Sequence, residues 1–183
     1  MSYQPFTINR PITLAQLLAA KERRAALQQR LINRYSLPLI SLTITIPGPI
    51  KLTPYSLFLF AQACTQIEAY YQQNKIACLN VIKNSDASGP EGFFVLSQTE
   101  QQLKQACMDI EDSHPLGRLW DIDVISAQNS ISISRNILGY PPRKCLICGN
   151  EAKFCARARI HTIDELTSTI ETIARQNGYK DKR

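Results

Sequence analysis

HPLGRLWDIDVIS, residues 114–126, is the stretch on which the reading of this chain turns. Side chains along a strand point alternately to its two faces. Trp120, Ile122 and Val124 fall on one face, and Asp121 and Asp123 on the other. The run from Arg118 to Ser126 is therefore expected as a strand with one dry face in a core. Its other face carries two carboxylates about 7 Å apart, at roughly 3.4 Å per residue. Two like charges held on a rigid strand repel each other, and a divalent cation relieves that repulsion. Magnesium typically takes one or two carboxylates together with substrate phosphates. Such an arrangement suits metal-assisted displacement at phosphorus. Gly117 removes side-chain bulk from the loop entering the strand, which lets backbone approach phosphates. Arg118 adds a cation, although parity turns it away from the aspartates. The G-x-x-x-D-x-D spacing is a short version of a nucleotidyltransferase signature. An acid-x-acid pair is also at home on a merely solvated strand face, so the pattern alone leaves both readings open.

Working outward, Thr13 and Gln16 have capping-box spacing and open a helix running towards Tyr35. Leu14, Leu17, Leu18, Ala25, Leu31 and Ile32 are its expected buried stripe. Leu42, Ile44 and Ile46 alternate with threonines as a half-buried strand, stopped by Pro47-Gly48-Pro49. Thr53-Pro54 opens a second helix, with Leu57, Phe60, Ala61, Cys64, Ile67 and Tyr71 at helical spacing. Residues 76–83 and 92–96 read as strands, and residues 84–91 between them as a loop. Ser97 and Glu100 read as a second capping box, before a helix with Leu103, Ala106, Cys107 and Ile110 on its apolar face. Residues 131–134 read as the hairpin partner of the aspartate strand. Asn150 is the expected cap of a short helix carrying Cys155. Thr162 and Glu165 start a terminal helix ending near Gly178, and the tail from Tyr179 is expected to fray. No repeat, low-complexity tract or linker divides the chain. The reading is α+β: one mixed domain over residues 1–183, with helices packed on a mostly antiparallel sheet.

The 183 residues, 44% of them apolar, suffice for a core without disulfides. The opening MSYQPFTINR lacks a continuous apolar stretch, and no run is long enough to span a membrane. A soluble, cytoplasmic protein is expected. A formal net charge of +6 suggests an acidic partner or a polyphosphate ligand. Few aromatics lie among the basic residues, which argues against single-stranded nucleic acid.

Six cysteines without a secretory signal are expected to stay reduced. Cys64 and Cys107 read as core. Cys145 and Cys148, followed by Gly149, have zinc-knuckle spacing, and Cys155 and His161 could complete four ligands. On one unbroken helix the last two would lie about 9 Å apart along the axis. Sharing a metal therefore requires a break between them, for which Thr162 as a cap makes room. A packed thiol cluster beside a histidine and a redox pair are the other readings. Arg143, Lys144, Lys153, Arg157 and Arg159 make this the most basic part of the chain.

The chain resembles the citrate lyase holo-acyl-carrier-protein synthases, the apo-citrate lyase phosphoribosyl-dephospho-CoA transferases. The resemblance rests mainly on residues 114–124, His-Pro-Leu-Gly-Arg-Leu-Trp-Asp-Ile-Asp-Val. It also rests on residues 134–139, running on through 142–149 to the Cys155–His161 stretch. Weaker matches are Arg23-Arg24, residues 46–51 and residues 88–91, and together they cover nearly the whole chain in order. Thr45 and Ser88 stand where asparagine and threonine are expected, which puts any role of those two side chains in doubt.

The resemblance implies a reaction. A triphosphoribosyl-dephospho-CoA donor gives its phosphoribosyl-dephospho-CoA group to a serine of the acyl carrier protein, the gamma subunit of citrate lyase. Diphosphate leaves. It implies that Asp121 and Asp123 bind Mg2+ and that one of them, or a metal-bound species, helps to deprotonate the serine. Gly117, Arg118, Lys51, Arg135 and Arg143 become candidates for contact with donor phosphates, and His114 for acid or base work. Acyl carrier proteins are generally acidic, so the basic balance suits docking. A zinc-stabilised binding or assembly module without catalysis, and the same transfer to a malonate decarboxylase carrier, are the alternatives.

Overall fold

A computed structural model describes residues 8–180 of the chain. Residues 1–7, read above for a leader, and residues 181–183 of the tail lie outside the described residues. The described residues begin with helix α1 (Leu14–Tyr35), strand β1 (Leu39–Ile44) and helix α2 (Pro54–Gln73). Strands β2 (Cys78–Asp86) and β3 (Gly89–Leu96) follow, then helix α3 (Glu100–Ser113) and strand β4 (Trp120–Ile125). Helices α4 (Ala152–Ala158) and α5 (Ile163–Gln176) close the order. The four strands form one antiparallel sheet in the order β2-β3-β1-β4. The expected α+β architecture is the one observed. No helix among the described residues is long and apolar enough to cross a membrane.

The parity of residues 120–125 decides the layering. Trp120, Ile122 and Val124 are buried with Ile40, Leu42, Phe94 and Leu96 against α2, α3 and α5. The opposite face divides in two. At one end Leu39, Phe93, Val95 and Ile125 pack beneath Leu31 and Ile32 of α1. At the other end the same strands present Ser41, Thr43, Glu91 and the aspartates. This division corrects the expected stripe of α1. Its N-terminal turns pass the polar end and have no apolar floor, so Leu14 is 71% and Leu18 49% exposed.

Local chemistry explains the element ends. Thr13, Thr53, Thr99 and Thr162 each accept from the backbone N–H three residues on, and the residue at that position returns the bond. The box expected at Ser97 belongs to Thr99 and Gln102. Glu100 is engaged elsewhere, accepting from Ser126 Oγ and the Ala127 N–H, both at 2.8 Å. The loop expected at residues 84–91 is instead a tight hairpin pairing Asp86 with Gly89. Asp86 accepts from the Ser88 N–H at 2.7 Å, and Gly89 takes φ +102°. Glu151, not Asn150, stands at the N-cap position of α4, with no side-chain cap bond, and the Asn150 carbonyl accepts from the Cys145 N–H at 2.7 Å. Tyr179 is not frayed: it is buried, 5.6 Å from the Phe58 ring and 6.4 Å from Tyr55.

β4 is an edge strand, and its open side is covered. The Ile122 N–H donates to Glu111 Oε1 at 2.9 Å, and the Trp120 carbonyl accepts from Arg143 at 2.9 Å. The Val124 carbonyl accepts from the Ile133 N–H at 2.8 Å. The expected partner at residues 131–134 is thus a single bridge, Ile125 to Ser132, rather than a strand. Capping the edge this way leaves no free ladder for another chain. Before β4, Gly117–Leu119 form one 3-10 turn, so the strand starts at Trp120 rather than Arg118.

Candidate active site and Cys/His cluster

Asp121 and Asp123 lie on the face of β4 turned away from the core, opposite Thr43 and Ser41 of β1. Asp123 accepts from Ser132 Oγ at 2.7 Å. The Asp121 carboxyl is held above the usual carboxylate range, first by the protein around it and then by the charge of Asp123. That mutual repulsion is what a divalent cation relieves, so the pair fits a hard ion such as Mg2+.

Behind the pair stands a residue that the sequence reading missed. Glu111 on α3 has a side chain only 2% exposed, and besides the Ile122 N–H it binds two arginines. Arg135 reaches it at 3.3 Å and also reaches Asp112 at 2.6 Å. Arg143 pairs with Glu111 and extends to 3.9 Å from Asp121. A buried carboxylate with these partners ties α3, β4 and the chain beyond it into one frame. The available signal was an acid four residues after Cys107, on the apolar face of α3.

The other named residues are distributed around this frame. Gly117 is buried, and a Cβ there would stand 2.0 Å from the Glu111 carbonyl oxygen. Close approach to α3 is thus a structural reason for this glycine, beside the phosphate role read from sequence. Gly117→Ala is expected to cost about 3 kcal/mol or more in a urea unfolding curve, because the clash is with backbone that cannot rotate away. A cost under about 0.5 kcal/mol would show that the turn yields freely.

Arg118 donates to the Lys144 carbonyl, which joins the 3-10 turn to the Cys/His segment. The His114 ring lies 4.5 Å from that of Trp120, and its Nδ1 accepts from the Leu116 N–H at 3.1 Å. Burial lowers its basicity. Lys51 donates to the Ile46 carbonyl and packs against Gly89. Burial, with Lys21 nearby, lowers its pKa. Near it the weaker sequence matches converge: Arg23 binds Asp86 and Arg24 binds Glu91, each at 2.8 Å.

The four candidate ligands come together. Cys145 Sγ, Cys148 Sγ, Cys155 Sγ and a His161 ring nitrogen lie within 4.8 Å of one another. The break required between Cys155 and His161 is present: α4 ends at Ala158, and Arg159 turns the chain with φ 49°. Cys148 Sγ is 3.5 Å from Cys155 Sγ and 3.3 Å from His161 Nε2. A zinc shell with Zn–S of about 2.3 Å has tetrahedral edges of about 3.8 Å, so the donor set can hold such an ion. The Cys148 thiol is pushed down to about 6, first by the Asn150 N–H and then by His161. Cys64 and Cys107 lie buried in the core, as expected.

Comparison with known proteins agrees with this geometry. The family described as apo-citrate lyase phosphoribosyl-dephospho-CoA transferase matches residues 12–177. A protein of that name from Escherichia coli O1:K1 / APEC is 34% identical over 168 residues, 92% of this chain and 91% of the relative. One from Shigella boydii serotype 18 is 35% identical over 162 residues, 88% of each chain. "Protein CitXG" of Haemophilus influenzae is 36% identical over 170 residues, 93% of this chain but only 36% of that longer protein. With the match running from α1 to the end of α5, this chain belongs to the apo-citrate lyase phosphoribosyl-dephospho-CoA transferase family.

Proposed function

We propose that the protein transfers a phosphoribosyl-dephospho-CoA group from its triphosphoribosyl precursor to a serine of the apo acyl carrier protein of citrate lyase. The serine hydroxyl oxygen attacks the phosphorus nearest the ribose. A phosphodiester forms, the bond to the outer two phosphates breaks, and diphosphate leaves with that electron pair. The hydroxyl proton passes to a base. The observation that carries this reading is the paired Asp121 and Asp123 on one strand face, with Arg143 3.9 Å from Asp121.

The residues divide the work. Asp121 and Asp123 would hold Mg2+, which when bound neutralises phosphate charge and makes phosphorus easier to attack. Arg143, anchored on Glu111, presents a guanidinium beside the pair where donor oxygens can take two parallel hydrogen bonds. Arg118 lies in the same cleft. Arg135 supports Arg143 from behind, through their shared Glu111. The Cys/His cluster would hold structural zinc and fix the segment that carries Arg143. The basic balance of the chain suits an acidic carrier.

The deciding measurement is the intact mass of apo carrier protein incubated with this protein, Mg2+ and the triphosphoribosyl donor. A gain equal to one phosphoribosyl-dephospho-CoA group, with one diphosphate released per carrier, is expected. No gain with a competent donor and the cognate carrier would overturn the proposal. Running a malonate decarboxylase carrier in parallel tests the acceptor, and faster transfer to the citrate lyase carrier is the expected result.

A further inference from the structure

A cleft of about 870 Å³ opens between the end of β1 and the Cys/His segment. That is within the range of small-ligand sites, roughly 300–1,000 Å³. One end adjoins the reaction centre. Arg143 is in the lining, and Thr45 lies two residues past Thr43, the cross-strand partner of Asp121. Ala156, Ile163 and Leu166 contribute apolar wall. Three arginines, Arg118, Arg143 and Arg159, line the cleft, and no carboxylate does.

Arg159 is the arginine to explain. Arg118 is engaged with the Lys144 carbonyl and Arg143 with Glu111. The Arg159 side chain has no hydrogen-bond or ion-pair partner among the described residues. It also occupies a left-handed helix cap, φ 49° and ψ 45°, where glycine or asparagine is favoured. Local backbone preference therefore does not account for an arginine at this position.

We propose, resting on the transfer reading above, that this cleft holds the dephospho-CoA portion of the donor. Its adenosine and pantetheine arms lie along the apolar wall, and the diphosphate joining them sits on Arg159. The triphosphate end then reaches Arg143 and the aspartates. The match is one of charge and shape. An anionic diphosphate, flanked by the flat adenine base and the methyl and methylene groups of pantetheine, meets an unpaired guanidinium on an apolar wall, in a cleft that also holds Arg143, 3.9 Å from Asp121.

Arg159→Gly tests this cleanly, because glycine suits the left-handed cap and the substitution removes only the side chain. Ala156→Trp narrows the apolar wall independently. Dephospho-CoA alone is titrated calorimetrically into the wild-type protein and both variants, and the KM for the full donor is measured alongside melting curves. Wild-type protein is expected to bind dephospho-CoA. Each variant should lose at least about ten-fold in that affinity and raise the donor KM in step, about 1.4 kcal/mol, with kcat within two-fold and Arg159→Gly melting no earlier. Wild-type transfer with an unchanged donor KM in both variants would overturn the cleft assignment and leave the transfer reading standing. Dephospho-CoA binding that is lost in the variants, from a protein that modifies no carrier, would overturn the transfer reading and leave the cleft. A protein that neither binds nor transfers would overturn both.

Discussion

Asp121→Asn lowers the rate of carrier modification by a thousand-fold or more, while the protein still folds and melts no earlier at neutral pH. The rate loss corresponds to about 4 kcal/mol of transition-state stabilisation. That size is expected because asparagine keeps the shape but removes the charge that, on the proposed reading, would hold a cation against the donor phosphates. The stability result follows from the same repulsion. Asp121 has its carboxyl raised, first by the surrounding protein and then by Asp123, with Arg143 opposing less strongly. A carboxyl raised in the folded state disfavours folding above its folded pKa, and that penalty is absent below the unfolded value of about 3.9. Asparagine removes the penalty, so the variant's advantage is present at pH 7 and fades as the pH falls towards 3.5. Because the side chain is 52% exposed, solvent screens the effect and keeps it small. Intact-mass time courses and melts at the two pH values check both parts. Full retained activity would sink the metal-pair assignment, and an earlier melt at pH 7 would make Asp121 a structural carboxylate.

Cys148→Ser, or treatment with a strong chelator, is expected to loosen the segment from Arg143 to the end of α5. Elemental analysis of protein purified without chelator should find one zinc per chain, and none in the variant. Structural zinc sites in small peptides contribute apparent binding energies of about 10–16 kcal/mol. Here the apolar side of α5 supplies part of the fold, since Ile170 and Ala174 reach the main core. A partial loss is therefore expected: a Tm lower by roughly 10 °C, at about 2–4 °C per kcal/mol for a chain of this size. Donor affinity should fall as well, because Cys145, Cys155 and His161 line the same cleft as the three arginines. Cys148 is the informative position because its sulfur is close to both Cys155 and His161. Absence of stoichiometric metal from active protein would leave the cluster as packed thiols.

What the sequence disclosed depended on how local the controlling physics is. The aspartate face was legible because strand parity is a rule of adjacent residues, and β4 obeys it from Trp120 to Val124. Three of the four threonine caps were legible for the same reason. The start of α3 was misread because two overlapping patterns were locally acceptable. Glu100 was claimed by Ser126 and Ala127, a contact made only when β4 is in place. Glu111 was invisible as a hub because its partners Arg135 and Arg143 arrive from beyond β4. The Cys/His cluster was readable as four residues of two ligand types at near-ligand spacing. Its closure needed the turn at Arg159, where the residue itself gives no sign of a left-handed cap.

The order of elements along the chain has a consequence for biosynthesis. All four strands are complete by Ile125, and every ligand of the Cys/His cluster comes after Arg143. A ribosome therefore polymerises all four strands, aspartates included, before it adds the first of those thiols. Until the rest of the chain is made, the core beneath the sheet lacks Ile170, Ala174 and Tyr179, and β4 lacks Arg143. The Cys/His segment and the last part of the core are thus completed together, after the sheet's own residues are in the chain.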